Sequence, residues 1–243
     1  MTRLPTLLSS NPDAPFPPAS SALDEPDGLL AIGGDLSPSR LLNAYRHGIF
    51  PWFSDEQPIL WWSPDPRTVF RTEAIRLSSR FRRRLKTLPW EIRADTAFYE
   101  VIAACALMPR AGQHGTWITA TMIEAYVEMH RLGHAHSVEV FEDERLVGGI
   151  YGIALGRMFF GESMFSGASG GSKIALAALA HRLHEWNWPL IDAQVENDHL
   201  LTLGAARMPR DVFVAKVADL TVFPETNGNW TQRFGTLSAN SLA

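Results

Sequence analysis

Polar and apolar positions alternate with a period of two through much of the second half of the chain. Three apolar-rich runs, at residues 137–141, 146–154 and 158–165, are separated by short turns. Such alternation places successive side chains on opposite faces of a β-strand. The three runs therefore predict an antiparallel meander.

The period changes after the meander. A Gly-rich loop at residues 167–171 precedes a helical pattern over about residues 172–186. A short strand at 190–195 and a helix that begins near Asn197 come next. This order of strands and helices predicts a mixed α/β sheet.

The first 66 residues are rich in Pro, Gly and Trp, which set turns between short apolar segments. One helix is predicted among them. Ser37 and Pro38 suit its N-cap and first position, and Leu41, Leu42 and Tyr45 form its apolar stripe. We interpret this part of the chain as a small α/β subdomain.

Residues 67–132 have a mostly helical pattern, with Asp95 and Thr119 as candidate N-caps and Gly133 as a C-terminal stop. The patterns together predict the α+β class and two domains. These are a small N-terminal α/β subdomain at residues 1–66 and a mixed-sheet domain at residues 67–243.

Composition is that of a soluble globular protein, with 46% hydrophobic and 20% charged residues. Proteins that bind nucleic acids usually carry a net positive charge, whereas this chain carries a net charge of -4. Any contact with RNA must therefore be local. The pattern of the N-terminus is not that of a signal peptide, and no run reaches the ~20 apolar residues of a membrane helix. The single Cys105 lies in an apolar run and is expected to be buried. We expect a cytoplasmic protein.

Candidate chemistry begins in the predicted strand at 190–195. Alternation places Asp192 and Gln194 on one face, and burying them unpaired would cost on the order of 1 to 3 kcal/mol each. They therefore predict either a solvent-filled cleft or a structural polar network.

A carboxylate among aromatic residues is the second candidate. Glu162 lies in the segment 159–165 and needs a cation or a hydrogen-bond donor nearby, for which Lys173 is the structural alternative. Phe159, Met164 and Leu176 are apolar residues of the kind that more often fill a core than line a pocket.

Positive charge is concentrated at residues 71–86, although the chain as a whole is acidic. Such a stretch is either a solvated helical face or a surface that neutralises several phosphates. Trp52, Trp61, Trp62 and Trp117 lie in turn-rich segments, where indole rings either stack on bases or fill the core. The candidate RNA-binding residues of the basic stretch are Arg76, Arg80, Arg83, Arg84 and Lys86.

Two other kinds of site fit poorly. Ser169 lies in a Gly-x-Ser-x-Gly segment, with Asp192 and His199 in the order of a hydrolase triad, but too few residues separate the last two. His134 and His136 form only a two-residue cluster, so we predict no metal site.

Several composite motifs, in order along the chain, resemble the leucyl/phenylalanyl-tRNA protein transferase family. They are EPDGLLAIGGDLSP (25–38), GIFPWF (48–53), WWSPDPR (61–67), GTWIT (115–119), GHAHS (133–137), LVGG (146–149), GESMFS (161–166) and LGA (203–205).

The resemblance implies an acetyltransferase-like (GNAT) second domain. It also implies a reaction without a cofactor, in which Leu or Phe, and less readily Met, passes from aminoacyl-tRNA to proteins that begin with Arg or Lys. This modification would mark the acceptors for degradation by the N-end rule route.

The resemblance further assigns roles to residues. Asp192 and Gln194 would lie at the reaction centre, and Glu162 would help to hold the acceptor's first residue. Trp52 and Trp117 would flank the terminal adenosine. The pocket for the transferred side chain would be lined by Phe159, Met164 and Leu176.

Two departures from the family pattern are present: Ala193 stands where the family commonly has Cys, and the Gly-rich loop 167–171 replaces a more polar segment. In the mechanism that we expect, Gln194 accepts a hydrogen bond from the attacking amine while Asp192 polarises that amide or takes the proton through a water. The alternatives are an acyl-CoA-dependent N-acyltransferase, whose Gly-rich loop would bind pyrophosphate, and a non-catalytic tRNA-binding or peptide-binding module.

Overall fold

The described part of the chain forms two β-sheets with helices packed against them. The computed structural model describes residues 4–108, 117–224 and 228–243. The mixed α+β class predicted from the sequence is confirmed.

The smaller sheet lies at the N-terminus and has the order β1-β2-β4-β3, with β1 and β2 parallel and the other pairs antiparallel. Helix α1 (Pro38–Arg46) follows β2, with Ser37 at the N-cap and Pro38 in the first turn, as predicted. Leu41 and Tyr45 are buried. The strands are β1 (Thr6–Leu8), β2 (Leu29–Gly33), β3 (Phe50–Pro51) and β4 (Leu60–Trp62).

The larger sheet has eight strands in the order β11-β5-β10-β9-β8-β7-β6-β12. Its centre is the predicted antiparallel meander β7-β8-β9, which is confirmed to within two residues at each end. Strand β10 lies parallel to β9 and antiparallel to β5. The strands are β5 (Arg67–Arg71), β6 (Trp90–Ala94), β7 (Ala135–Glu142), β8 (Arg145–Leu155), β9 (Met158–Ser166), β10 (Leu190–Gln194), β11 (Ala206–Met208) and β12 (Leu237–Ser238).

Helices cover both faces of the larger sheet. Helices α3 and α4 pack on one face, in an apolar core that continues into the small N-terminal sheet and includes the buried Cys105. Helix α5 packs on the other face. The remaining helices are α2 (Ser79–Leu85), α3 (Phe98–Leu107), α4 (Ala120–Arg131), α5 (Gly171–Glu185), α6 (Asp198–Thr202), α7 (Arg210–Thr221) and α8 (Thr231–Phe234), with short 3-10 turns at Ala19–Ser21, Thr72–Ala74 and Ala239–Leu242.

The mostly helical interpretation of residues 67–132 is wrong in two places, where β5 and β6 form. Thr119 does cap α4, accepting a hydrogen bond from the backbone N–H of Met122, and Gly133 follows the end of that helix. Asp95 caps no helix. Its carboxylate instead binds the His136 ring and the backbone N–H of Trp230, which attaches the C-terminal segment to the sheet.

The small sheet lies within residues 6–62 and the large sheet begins at Arg67. These limits lie on either side of the boundary predicted at residue 66, and the division into two domains stays a prediction. Among the described residues, no helix is both long enough and apolar enough to span a bilayer.

Candidate active site

Strands β9 and β10 separate at the point where each contains a bulge. Their parallel pairing ends with Phe160 opposite Asp192. In β9, Gly161 and Ser163 pair with consecutive residues of β8, so Glu162 is the extra residue of a bulge. In β10, the register against β5 shifts between Asp192 and Gln194. Bulges change the direction of side chains, and here they leave a gap between two adjacent strands.

Gln194 has a backbone φ of 60°, in the left-handed region that residues other than glycine rarely adopt. A strained backbone of this kind costs on the order of 1 to 3 kcal/mol and often marks a functional site. The regular alternation predicted up to Val195 is therefore wrong beyond Asp192. The bulge, rather than the pleat, brings Gln194 towards Glu162.

A cleft of about 390 Å³ lies in the gap between the strands. Seven of the residues selected from the sequence line it: Trp52, Trp117, Glu162, Met164, Leu176, Asp192 and Gln194. Both of the proposed reaction-centre residues thus face the same space as the two tryptophans. The Gly-Thr pair that precedes Trp117 lies outside the described residues.

Phe159 is not among the residues that line this cleft. It precedes the bulge in β9, so its side chain enters the core beneath α5, where its ring lies 5.9 Å from that of Trp230. The expectation that Phe159 lines the side-chain pocket is therefore not supported by its position. Trp61 is also a core residue, fully buried, and its indole N–H donates to the Gly33 carbonyl at 2.9 Å.

Glu162 lies at the centre of a buried hydrogen-bond network. Its Oε1 accepts from the Tyr45 hydroxyl at 2.7 Å and from Nε2 of Gln194 at 2.7 Å. Its Oε2 accepts from the Tyr126 hydroxyl at 3.1 Å, and the two tyrosine hydroxyls also contact each other. The alternative of an ion pair with Lys173 is wrong, because the partners of Glu162 are two hydroxyls and an amide, while the Lys173 ammonium group lies by the Phe81 ring.

Burial sets the charge of this network. Desolvation raises the pKa of Glu162 to about 7, against hydrogen bonds from Tyr45, Tyr126 and Gln194 that favour the ionised form. Desolvation, together with the negative charge of Glu162, holds the pKa of both tyrosines well above the usual value. The tyrosines therefore stay protonated as donors, while Glu162 changes charge near neutral pH.

Asp192 has a different set of partners. Arg67 binds it in a bidentate manner, with Nε 2.8 Å from Oδ1 and Nη2 2.7 Å from Oδ2, and both side chains are fully buried. The rings of Phe50 and Phe213 each lie 4.6 Å from the guanidinium carbon. Oδ1 of Asp192 also accepts the backbone N–H of Gln194 at 2.9 Å.

These contacts correct part of the expected mechanism. Asp192 holds the backbone of Gln194 and not its side-chain amide, whose N–H group is bonded to Glu162. The expected contact between Asp192 and the side-chain amide is therefore replaced by one to the backbone. The other expectation, that Asp192 takes the proton through a water, stays a prediction. With its oxygens bonded to Arg67 and to a backbone N–H, Asp192 lies where it can hold Gln194 in position.

Sequence reasoning missed Tyr45, Tyr126 and Arg67 as site residues. Tyr45 was assigned to an apolar stripe, and Tyr126 lies in a helix whose inward face is otherwise apolar. The only available signal was that a buried carboxylate requires donors. That rule does not say which residues supply them.

The basic stretch forms an exposed surface on and around α2. Arg80, Arg83 and Arg84 lie on α2 and are solvent-exposed, as are Arg76 and Lys86 on either side of it. Helix α2 covers the Gly-rich loop: Phe81 contacts Gly170, and Arg84 lies 3.4 Å from the Ser169 hydroxyl. Helix α5 starts at this loop and carries Leu176 into the cleft.

The described residues contain no group of three or more His, Cys, Asp or Glu side chains arranged to hold a metal ion. His136 is instead paired with Asp95 at 2.8 Å and stacked on the Trp230 ring at 3.9 Å.

Comparison with known proteins gives a consistent result along the chain. A family model described as leucyl/phenylalanyl-tRNA protein transferase matches residues 69–218, and one described as the N-terminal domain of that transferase matches residues 34–65.

Three curated proteins, each named leucyl/phenylalanyl-tRNA–protein transferase, are similar over nearly their full length. The protein of Xanthomonas campestris pv. campestris (strain 8004) is 71% identical over 240 residues, which are 99% of this chain and 96% of that protein. That of Xanthomonas axonopodis pv. citri (strain 306) is 67% identical over 239 residues, 98% of this chain and 96% of that protein. That of Xylella fastidiosa (strain 9a5c) is 64% identical over 231 residues, 95% of each chain.

Proposed function

The chain belongs to the leucyl/phenylalanyl-tRNA protein transferase family and is a transferase, and from this premise we propose what it transfers and where. The donor is aminoacyl-tRNA carrying Leu or Phe, and less readily Met. The acceptor is the α-amine of a protein that begins with Arg or Lys. The reaction takes place in the cytoplasm and marks the acceptor for degradation by the N-end rule route.

One observation supports this function above the others: a polar pair, Glu162 and Gln194, faces a cleft that aromatic and apolar side chains also line. Trp52 and Trp117 offer indole rings on which a terminal adenosine would stack. Met164 and Leu176 offer apolar surface for the transferred side chain. Both substrates of an ester-to-amine transfer thus find matching chemistry in the same space.

Gln194 is the group proposed to meet the attacking amine. Its Nε2 donates to Glu162, so its carbonyl oxygen is left to accept a hydrogen bond from the incoming amine. An α-amine has a pKa of roughly 7.7 to 8.0 in water, so a minority is already neutral near pH 7. The site therefore has to orient the amine more than to deprotonate it.

The step conserves atoms without a cofactor. The amine nitrogen forms a bond to the ester carbonyl carbon, and the bond from that carbon to the ribose oxygen breaks. The proton lost by the amine ends on the ribose hydroxyl. Glu162, whose pKa of about 7 suits proton exchange at neutral pH, stabilises the positive charge of the amine through Gln194 while the bond forms. Alignment of the two reactants supplies most of the acceleration.

The proposed donor is tested against the acyl-CoA alternative in one assay. The purified protein is given an Arg-initiated peptide with Leu-tRNA, Val-tRNA or acetyl-CoA, and the modified peptide is measured by mass. We expect transfer from Leu-tRNA, slower transfer from Val-tRNA by roughly 10-fold to 200-fold for one missing methylene, and none from acetyl-CoA.

Two outcomes would contradict the proposal. Transfer from acetyl-CoA alone would favour the N-acyltransferase, with the Gly-rich loop before Ser172 as its pyrophosphate site. Binding of Leu-tRNA without turnover on any acceptor would favour a binding module.

A further inference from the structure

Among the described residues, three carboxylate side chains line the cleft: Glu162, Asp192 and Glu196. Glu162 is buried and accepts from two tyrosines and Gln194, and Asp192 is fully buried against Arg67. Neither has room for a further cation without loss of a bond within the protein. Glu196 is the one carboxylate of the three that also faces solvent, with its side chain 30% exposed.

Glu196 is held by an exchangeable partner. Arg207 on β11 binds it in a bidentate manner, with Nε 2.5 Å from Oε2 and Nη2 2.6 Å from Oε1. Hydrogen bonding to Arg207 lowers the pKa of Glu196, so it is ionised at neutral pH. The Arg207 side chain is 67% exposed. Solvent-exposed pairs of this kind are weak and screened by salt, so a competing cation can replace Arg207.

We propose that Glu196 selects the acceptor: it receives the cationic side chain of the acceptor's first residue, and Arg207 moves out into solvent as that residue enters. This inference rests on the proposed function, since it names the part of the cleft that distinguishes basic from neutral N-termini. The guanidinium or ammonium group of the acceptor then takes the place of the Arg207 cation beside Glu196. A neutral side chain does not displace Arg207. The Glu196–Arg207 pair then stays intact and adds nothing to the affinity for that acceptor.

A purely structural role for the same pair is the competing explanation. The pair joins β11 to the segment between β10 and α6, so it also fastens one edge of the sheet. The two explanations differ for acceptors of different charge. A structural clip affects every acceptor equally, whereas a selecting carboxylate affects only cationic ones.

The test uses the full chain, Leu-tRNA as donor, and two peptides that differ only in beginning with Arg or with citrulline, its neutral isostere. We expect Glu196→Gln to lower kcat/KM for the Arg peptide by roughly threefold to tenfold, mainly through KM, and to leave the citrulline peptide unchanged. Arg207→Gln removes the competing cation, so we expect KM for the Arg peptide to fall. The KM for Leu-tRNA stays constant in both variants.

Glu128→Gln is the matched control. Glu128 makes an equally bidentate, exposed pair with Arg131 on α4, away from the cleft, so this change leaves both peptides at wild-type values. Equal effects of Glu196→Gln on the Arg and citrulline peptides, or none on either, would overturn the inference. If Glu196→Gln fails to fold, an unaltered KM for the Arg peptide in Arg207→Gln would overturn the inference. Failure of the wild type to transfer Leu to either peptide would instead contradict the proposed function.

Discussion

Glu162 is poised between its two charge states by its surroundings. Burial raises its pKa to about 7, and the hydrogen bonds from Tyr45, Tyr126 and Gln194 act in the opposite direction. The ionised form is the one that accepts all three bonds, so in our account it is the active form. Activity should therefore decline as the pH falls below about 7.

Tyr126→Phe tests this balance. The change removes one donor to Oε2, which disfavours the carboxylate and raises the pKa of Glu162 further. We expect the acidic limb of the kcat/KM profile for transfer to move to higher pH by roughly 0.5 to 1, the equivalent of one net hydrogen bond.

Tyr99→Phe is the control for that profile, because Tyr99 is a tyrosine on the surface, 61% exposed. An acidic limb that stays in place in Tyr126→Phe would show that Glu162 does not govern the pH dependence.

At the residue level, the sequence singled out three of the polar groups that line the cleft, Glu162, Asp192 and Gln194, but not Glu196 and not the partners of the three. Asp192 and Gln194 were identifiable because two polar residues in an apolar strand require an explanation. Arg67, Tyr45 and Tyr126 lie 36 to 125 positions along the chain from the carboxylates that they bind, and only the folded chain brings them together. The bulges that direct Glu162 and Gln194 had no recognised signal either.

Helix α5 and strand β8 approach each other as closely as their backbones allow. A Cβ atom at Gly148 would lie 2.4 Å from the backbone of Gly171, at the start of α5. Gly148 is therefore required where the helix that carries Leu176 meets the sheet. The requirement is steric, because a side chain at this position would collide with the first residue of α5.

Gly148→Ala should separate these two elements. We expect a loss of about 1 to 3 kcal/mol in the free energy of unfolding, because backbone atoms cannot be displaced as a side chain can. Denaturant titration measures it. Gly167→Ala is the control, since a Cβ there meets only ordinary contacts, from 3.4 Å, and its cost should stay within about 0.5 kcal/mol. Equal costs at the two positions would contradict this account of the contact.

At the level of elements, the sequence predicted the meander, α1, α5 and the bounds of β10 well, because each carries a clear period or a cap, although the bulge in β10 was missed. Strand β5 was missed: its five residues begin and end with Arg, and its partners β10 and β11 are more than 100 residues away. Strand β6 did carry a signal, since Trp90, Ile92 and Ala94 are buried and alternate with more exposed residues. The helical pattern around it concealed that alternation.

The distribution of charge over the whole molecule suits the RNA partner and the acceptor at different places. The chain carries a net charge of -4, yet α2 presents a basic surface over the Gly-rich loop that precedes α5. Within the described chain, none of Arg80, Arg83 and Arg84 forms an ion pair with a carboxylate. These side chains remain available to bind phosphates, whereas Glu196 in the cleft suits a cationic acceptor.

Replacing Arg80, Arg83 and Arg84 together with Gln should weaken tRNA binding and make its salt dependence shallower. Each lost phosphate contact removes roughly 0.7 to 0.9 from the slope of log K against log salt, so we expect a decrease of about 2. Binding measured between low and moderate salt gives the slope. The control variant replaces Arg131 and Arg145 with Gln, because these exposed arginines are already paired with carboxylates. The same slope in the triple variant and the wild type would leave α2 as a solvated surface.

In the proposed reaction, an RNA-borne ester meets an amine oriented by Gln194 in the gap between β9 and β10. The most direct test is the single-turnover rate of Leu transfer from Leu-tRNA to an Arg-initiated peptide, in the wild type and in Gln194→Ala, with tRNA affinity measured in parallel. We predict a rate lower by about 100-fold or more in the variant, with unchanged affinity for Leu-tRNA. A variant that transfers at close to the wild-type rate would contradict the claim.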